Sequence, residues 1–151
     1  MRKVRLPSKQ ERTEPYYAYA YARDIIKGRW EKGEPIIAKD PYSSHHYATE
    51  VIKKRFKMAE PMMAKNAEIY YVYLYVRDVI KGRWEQGEEA IMKDKEYVLH
   101  YAEYLLKYEL KHIDFYIKCL EQNILDIHEL PQHLQDNEDI QVAYFKAKIL
   151  K

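Results

Sequence analysis

The stretch Tyr21–Glu34, YARDIIKGRWEKGE, recurs at Tyr75–Glu88 as YVRDVIKGRWEQGE with eleven of fourteen positions identical, and no other feature restricts the fold so severely. Between them lies Tyr47–Glu60, YATEVIKKRFKMAE, and a worn fourth copy follows at Tyr101–Leu110, YAEYLLKYEL. The copies begin 26, 28 and 26 residues apart. Units of that length cannot enclose a core of their own; they bury their apolar faces against their neighbours. The sequence therefore predicts an all-α fold: an α-solenoid of four long-helix/short-helix repeats, about residues 8–34, 35–60, 61–88 and 89–110, with a helical C-terminal cap over 111–151, all in one domain.

Helix start and stop signals keep step with this period. Ser8 with Glu11 reads as a capping box opening a short helix. Glu14, Asp40, Asn66 and Asp94 stand at the starts of the four long helices, and Pro15, Pro35, Pro41 and Pro61 open helices. In the first repeat the long helix is expected from about Pro15 to Lys27, burying Ala18, Ala22, Ile25 and Ile26 with Tyr21 at the edge. Gly28 is expected to end it in the left-handed conformation. Ile36 and Ile37 of the following short helix point inward. The fourth repeat has no Gly-Arg-Trp stop. Helix is expected to resume through HIDFYIKCLEQ, to turn near Pro131, and to finish as Ile140–Lys151, begun by Asp136 or Asp139, closing the stack with a polar face.

The motif YxRDVIKGRWExGE, followed by IxKD and a second Y-A helix, resembles short helical repeats common in tailed phages and large DNA viruses. Those repeats read approximately Y-A-x-D-V-I-x-G-R-W/F-x-x-G/A-E-x-x-I-x-x-D-P. The match covers roughly residues 15–110; the second repeat has Lys54 in place of the Gly, and the fourth lacks the Arg-Trp. The resemblance implies an α-solenoid of phage or viral origin and brings no catalytic residue. In outline the unit is also similar to leucine-rich repeat variants, an analogy of fold alone.

The composition excludes several classes. With 47% hydrophobic and 33% charged residues, the chain is foldable and water-compatible. The 26 basic side chains nearly balance 24 acidic ones, which does not advertise a nucleic-acid partner. Cys119 is the one cysteine, so no internal disulfide forms, and a reducing cytoplasm, of the host cell if the origin is viral, is the expected compartment. No run of eighteen apolar residues is present, so no membrane partner is expected, and the basic start has no apolar segment behind it to make a secretory signal.

Sixteen tyrosines are the conspicuous excess. Successive helical residues point about 100° apart, so runs such as YYAYAY cannot bury every ring on one side. Tyr16, Tyr19, Tyr42, Tyr70, Tyr73 and Tyr97 are the candidates for a partner-binding face, since tyrosine is a rigid, amphipathic anchor. A second candidate is a basic ridge of Arg23, Lys27, Lys53, Arg77 and Lys81 near the ends of the long helices, which can follow a phosphate backbone. The competing explanation is structural: Asp24, Glu50 and Asp78 lie three or four residues before Lys27, Lys54 and Lys81, the spacing of intrahelical ion pairs, and Arg29, Arg55 and Arg83 can bond Glu34, Glu60 and Glu88. His45 and His46 are adjacent and cannot chelate one ion, and the other histidines show no ligand spacing with Cys119. No metal site, cofactor or catalytic residue is expected, and Cys119 belongs in helical packing. The expected function is that of a non-enzymatic phage or viral adaptor or inhibitor that binds a host or viral protein, as a monomer or weak homo-oligomer. Nucleic-acid binding along the ridge is the alternative.

Overall fold

The computed structural model describes residues 3–65 and 68–150, and every regular element among them is helical. The chain forms two compact units, residues 1–90 and 91–151. Asn66 and Ala67, expected to cap and begin the third long helix, lie outside the described residues.

The first unit carries three repeats. Their long helices begin as α1 (Pro15–Tyr21), α3 (Pro41–His46) and α5 (Ile69–Tyr75). Each is followed by a short helix: α2 (Glu34–Ile37), α4 (Glu60–Lys65) and α6 (Glu85–Ile91), whose last residue crosses into the second unit. α1 packs on α3 and α3 on α5, so the repeats lie side by side in chain order. Asp40 caps α3 by accepting from the Ser43 amide, as its position predicts, whereas Glu14 makes no side-chain cap. Ser8 and Glu11 form the reciprocal bonds of a capping box, but the segment stays a series of turns.

Each long helix ends in a π-helical turn: Ala22–Ile26, Tyr47–Val51 and Val76–Ile80. The wider turn alters what the apolar pattern implies. Tyr21, Tyr47 and Tyr75 are core residues at no more than 3% exposure, while Ile25 and Ile26 are only partly buried. Tyr21 is thus interior, not at the edge. The left-handed residue is also not the expected glycine. Lys27, Lys53 and Lys81 have φ of 56°, 50° and 59°, and no glycine has positive φ. The Gly28 amide then reaches back to Ala22 O at 3.2 Å, a bond any residue can make, and a Cβ on Gly28 or Gly82 would meet nothing.

Gly33 and Gly87 do have a steric reason. A Cβ at either position would overlap the ring of Trp30 or Trp84 three residues before it. In the second repeat the equivalent pair is Phe56 and Ala59, both buried, so the smaller ring accompanies the larger small residue.

The second unit contains α7 (Lys95–His100), continued by a fourth π turn, Tyr101–Leu105, and Lys107 at φ 53°. Asp94 caps α7 by accepting from the Glu96 amide. α8 (Ile113–Glu121) resumes helix where HIDFYIKCLEQ predicts it and packs against α10 (Glu138–Ile149), with α9 (Gln132–Gln135) between them in sequence. The core joins Phe115, Tyr116, Cys119 and Leu120 with Ile140 and Ala143, so Cys119 is packed as expected. Pro131 precedes α9, and Asn137, not Asp136 or Asp139, caps α10 by accepting from the Asp139 and Ile140 amides. The outer face of α10 is mixed where a polar one is expected: Glu138, Asp139, Gln141, Lys146 and Lys148 are exposed beside Val142, Phe145, Ile149 and Leu150.

Candidate functional site

Two networks between repeats determine which side chains are left for other work. In the first, a tyrosine reaches back into the loop of the preceding repeat. The Tyr47 hydroxyl donates to Glu34 Oε1 at 3.0 Å and accepts from the Trp30 amide at 2.9 Å. Tyr75 repeats this with Glu60 Oε1 at 3.0 Å and the Phe56 amide at 2.8 Å. Each carboxylate also receives a forked arginine: Arg29 on Glu34, Arg55 on Glu60 and, in the third loop, Arg83 on Glu88. The predicted loop pairs are therefore formed. The Arg29 guanidinium holds the Glu34 carboxyl below its ordinary range against the cost of burial. Burial opposes ionisation of Glu60, but bonds from Arg55 and Tyr75 together outweigh it and the carboxyl is again lowered. Burial, with the carboxylate beside them, raises the Tyr47 and Tyr75 phenols, so both remain protonated donors.

The second network runs forward. Tyr19 donates to Glu50 at 2.5 Å in the next repeat, and at the equivalent place His45 Nε2 bonds Asp78 at 2.9 Å. Arg23 and Arg77 fork onto their own neighbours, Asp24 and Asp78. The intrahelical Asp–Lys and Glu–Lys pairs expected from the spacing are not formed. The π turn and the left-handed residue (Lys27, Lys53 or Lys81) carry Lys27, Lys54 and Lys81 off the helical line, and the carboxylates are taken by Arg23, Tyr19, His46, Arg77 and His45.

Histidine gives this network a pH dependence. His45 is buried with Nδ1 unpartnered, so burial, opposed by Asp78, lowers its pKa from the ordinary 6.5. The unfolded chain then binds the proton more readily, and stability present above about pH 6.5 is lost as pH falls toward the folded value. A further loss follows below the ordinary carboxylate value of 4.5, as Glu34 and Glu60 are protonated toward their lowered values. Urea midpoints measured from pH 8 to pH 3 should decline in these two stages, and His45→Gln should remove the first only. A midpoint flat from pH 7 to pH 5 contradicts this role for His45.

What remains outside the networks divides the predicted tyrosines. Tyr19 and Tyr73 are interior, at 1% and 8% exposure, and are no part of a binding face: the ring at this helical position points at the neighbouring repeat. Tyr16 and Tyr70 are about half exposed, at 49% and 53%, and Tyr42 is partly buried between their repeats. Tyr17 and Tyr71, tyrosines outside the six candidates, complete a row. Ring centroids step from Tyr17 to Tyr16 at 5.5 Å, to Tyr42 at 6.1 Å, to Tyr71 at 5.6 Å and to Tyr70 at 5.1 Å. These are contact distances for aromatic pairs. All five rings belong to the first turns of α1, α3 and α5, so the row crosses three repeats at one end of their helices. Tyr97, partly buried, belongs to the second unit.

The predicted ridge residues Arg23, Lys27, Lys53, Arg77 and Lys81 are all exposed at the other end of the same helices. A hollow of about 610 Å³ lies beside the Arg29–Glu34 pair and Arg55. Among the described residues no group of three or more His, Cys, Asp or Glu can hold a metal ion, and no helix is long and apolar enough to cross a membrane.

Comparison with protein-family models, with curated proteins and with solved structures finds no match to this chain.

Proposed function

We propose that the protein is a non-enzymatic adaptor or inhibitor that docks a protein partner on the row Tyr17, Tyr16, Tyr42, Tyr71, Tyr70. A host factor met by a phage or virus is the partner class that its repeat motif suggests. The observation that carries this reading is the continuity of five rings, joined by four contacts, across three repeats and outside the two hydrogen-bonded networks. The Tyr47 and Tyr75 hydroxyls are spent on hydrogen bonds between repeats; the row's rings touch across repeats, but its hydroxyls are not spent in this way. A tyrosine loses little side-chain entropy on binding and covers a large area, so a rigid row is suited to capture of an apolar segment with polar edges. The mechanism is occlusion: the partner surface that covers the rings is withheld from its own reaction.

Loss of one anchoring ring at an interface costs about 2 kcal/mol, or about 30-fold in affinity. Tyr16→Ser and Tyr70→Ser should each weaken a captured protein partner by that factor, measured by biolayer interferometry after nuclease treatment. Folding should be unaffected, because neither ring is interior. Retention of full affinity in the double variant contradicts the proposal.

A further inference from the structure

Over the long helix and the loop after it, only two residue types recur at the equivalent place in all four repeats. One is the tyrosine at 21, 47, 75 and 101; the other is the lysine at 27, 53, 81 and 107. The tyrosine has a structural reason in the second and third repeats, where its hydroxyl bonds the preceding loop. The lysine has none of that kind. All four are exposed, and among the described residues none of their side chains forms a hydrogen bond or an ion pair. All four also occupy the left-handed region, with φ between 50° and 59°. That conformation disfavours any residue with a Cβ, and glycine would hold it without strain. Glycine stands one position later in two repeats, where φ is negative. A strained position filled four times by a residue poorly suited to it, with no internal bond to show for it, points to a use for the side chain.

The surroundings name the ligand. Between the first and second repeats a groove of about 310 Å³ is lined by Lys27 and Lys53 with Arg23 and Glu50. Between the second and third, a groove of about 320 Å³ is lined by Lys53, Lys54 and Lys81 with Asp78. Lys53 belongs to both, so the two form one track. Stacked helices repeat at about 8–10 Å, which spaces the cations along it. The planar, bidentate cations here, Arg23 and Arg77, are already forked onto Asp24 and Asp78. What is left is a file of point charges, suited to phosphate and poorly suited to the forked recognition of a carboxylate. The exposed rings of this unit sit at the far end of the helices, so the track has none on which to stack bases.

We infer that the edge carrying Lys27, Lys53 and Lys81 binds the phosphodiester backbone of a nucleic-acid duplex, without sequence preference and independently of the tyrosine row. Three phosphate contacts give a slope of about −2.7 in log affinity against log salt, about 40-fold between 50 and 200 mM. The decisive variant is Lys27→Gly/Lys53→Gly/Lys81→Gly, which deletes the charges and relieves the backbone, so it should fold with a urea midpoint no lower than that of the wild type. Fluorescence anisotropy with labelled duplex DNA, duplex RNA, single-stranded DNA and poly-glutamate separates the ligand classes. The expected result is salt-dependent binding of either duplex by the wild type, by the triple Lys→Arg variant and by Tyr16→Ser/Tyr70→Ser, with loss in the triple glycine variant. Equal duplex binding by the triple glycine variant, poly-glutamate binding as tight as duplex, or no duplex binding at 50 mM salt overturns the inference.

Discussion

Replacing Gly87 by alanine is expected to destabilise the first unit by about 3 kcal/mol, and adding Trp84→Phe should recover most of that loss. In an open helix the same change would stabilise by about 1 kcal/mol, because glycine is a poor helix former. Here the new methyl would overlap the ring of Trp84, which is 4% exposed and has nowhere to move. The double variant recreates the Phe56 and Ala59 pair that the second repeat already contains. Gly33→Ala should cost less, since Trp30 is only partly buried and its ring can turn outward. Urea unfolding followed by far-ultraviolet circular dichroism checks all three. Additive effects of Trp84→Phe and Gly87→Ala would show that the ring and the glycine are not a matched pair.

Arg55→Ala is expected to cost about 2–3 kcal/mol by leaving the Glu60 carboxylate without its cation. The value lies at or below the lower end of the range for buried pairs because the Arg55 side chain is 44% exposed while that of Glu60 is 7% exposed. Tyr75→Phe removes the bond to the same carboxylate and the acceptor for the Phe56 amide, for about 1–3 kcal/mol. The two act on one carboxylate, so their sum and the double variant should differ by at least 0.5 kcal/mol. Arg55→Lys keeps the charge but not the fork, and should fall between wild type and alanine. The effect should extend to the junction between second and third repeats, because Tyr75 belongs to the third and Glu60 to the loop of the second. Protection of the Phe56 amide, which donates to the Tyr75 hydroxyl, from hydrogen exchange reports that junction directly. Unchanged exchange in Arg55→Ala would mean the loop stands without the tyrosine.

Much of this was legible in the residues, and what was not has identifiable causes. The all-helical fold, the period, the Asp40 and Asp94 caps and the Arg29, Arg55 and Arg83 pairs follow from spacing and type, since such signals are local. The π turns leave no such trace. They admit one extra residue per turn, which shifts Tyr21 inward and leaves Ile25 half out while the sequence still shows an ordinary helical period. The same turns place the left-handed residue at Lys27 instead of Gly28 and break the predicted Asp24–Lys27 pair. Composition marked tyrosine as important but could not sort the rings. Tyr19 and Tyr16 differ by three residues on one helix, and only the neighbouring repeat decides that the first is enclosed and the second open. One clue was present: Tyr19 is matched by His45 and Tyr73, whereas Tyr16 is matched by Tyr42 and Tyr70. The first set faces an acid in the next repeat wherever the contact is formed, as at Glu50 and Asp78. The exposed apolar residues of α10 are not legible in the sequence because Val142, Phe145 and Ile149 are interspersed with Gln141, Lys146 and Lys148, so no clean polar stripe marks the outside.

Nitration of tyrosine by tetranitromethane, mapped by peptide mass spectrometry on the folded protein, tests this division of the rings most directly. Tyr16, Tyr17 and Tyr70 should react at rates close to a free phenol. Tyr19, Tyr47, Tyr73 and Tyr75 should stay unmodified until urea unfolds the first unit. Modification of Tyr47 or Tyr75 as fast as Tyr16 in the folded chain would contradict the account, since the rings said to join the repeats would then be facing water.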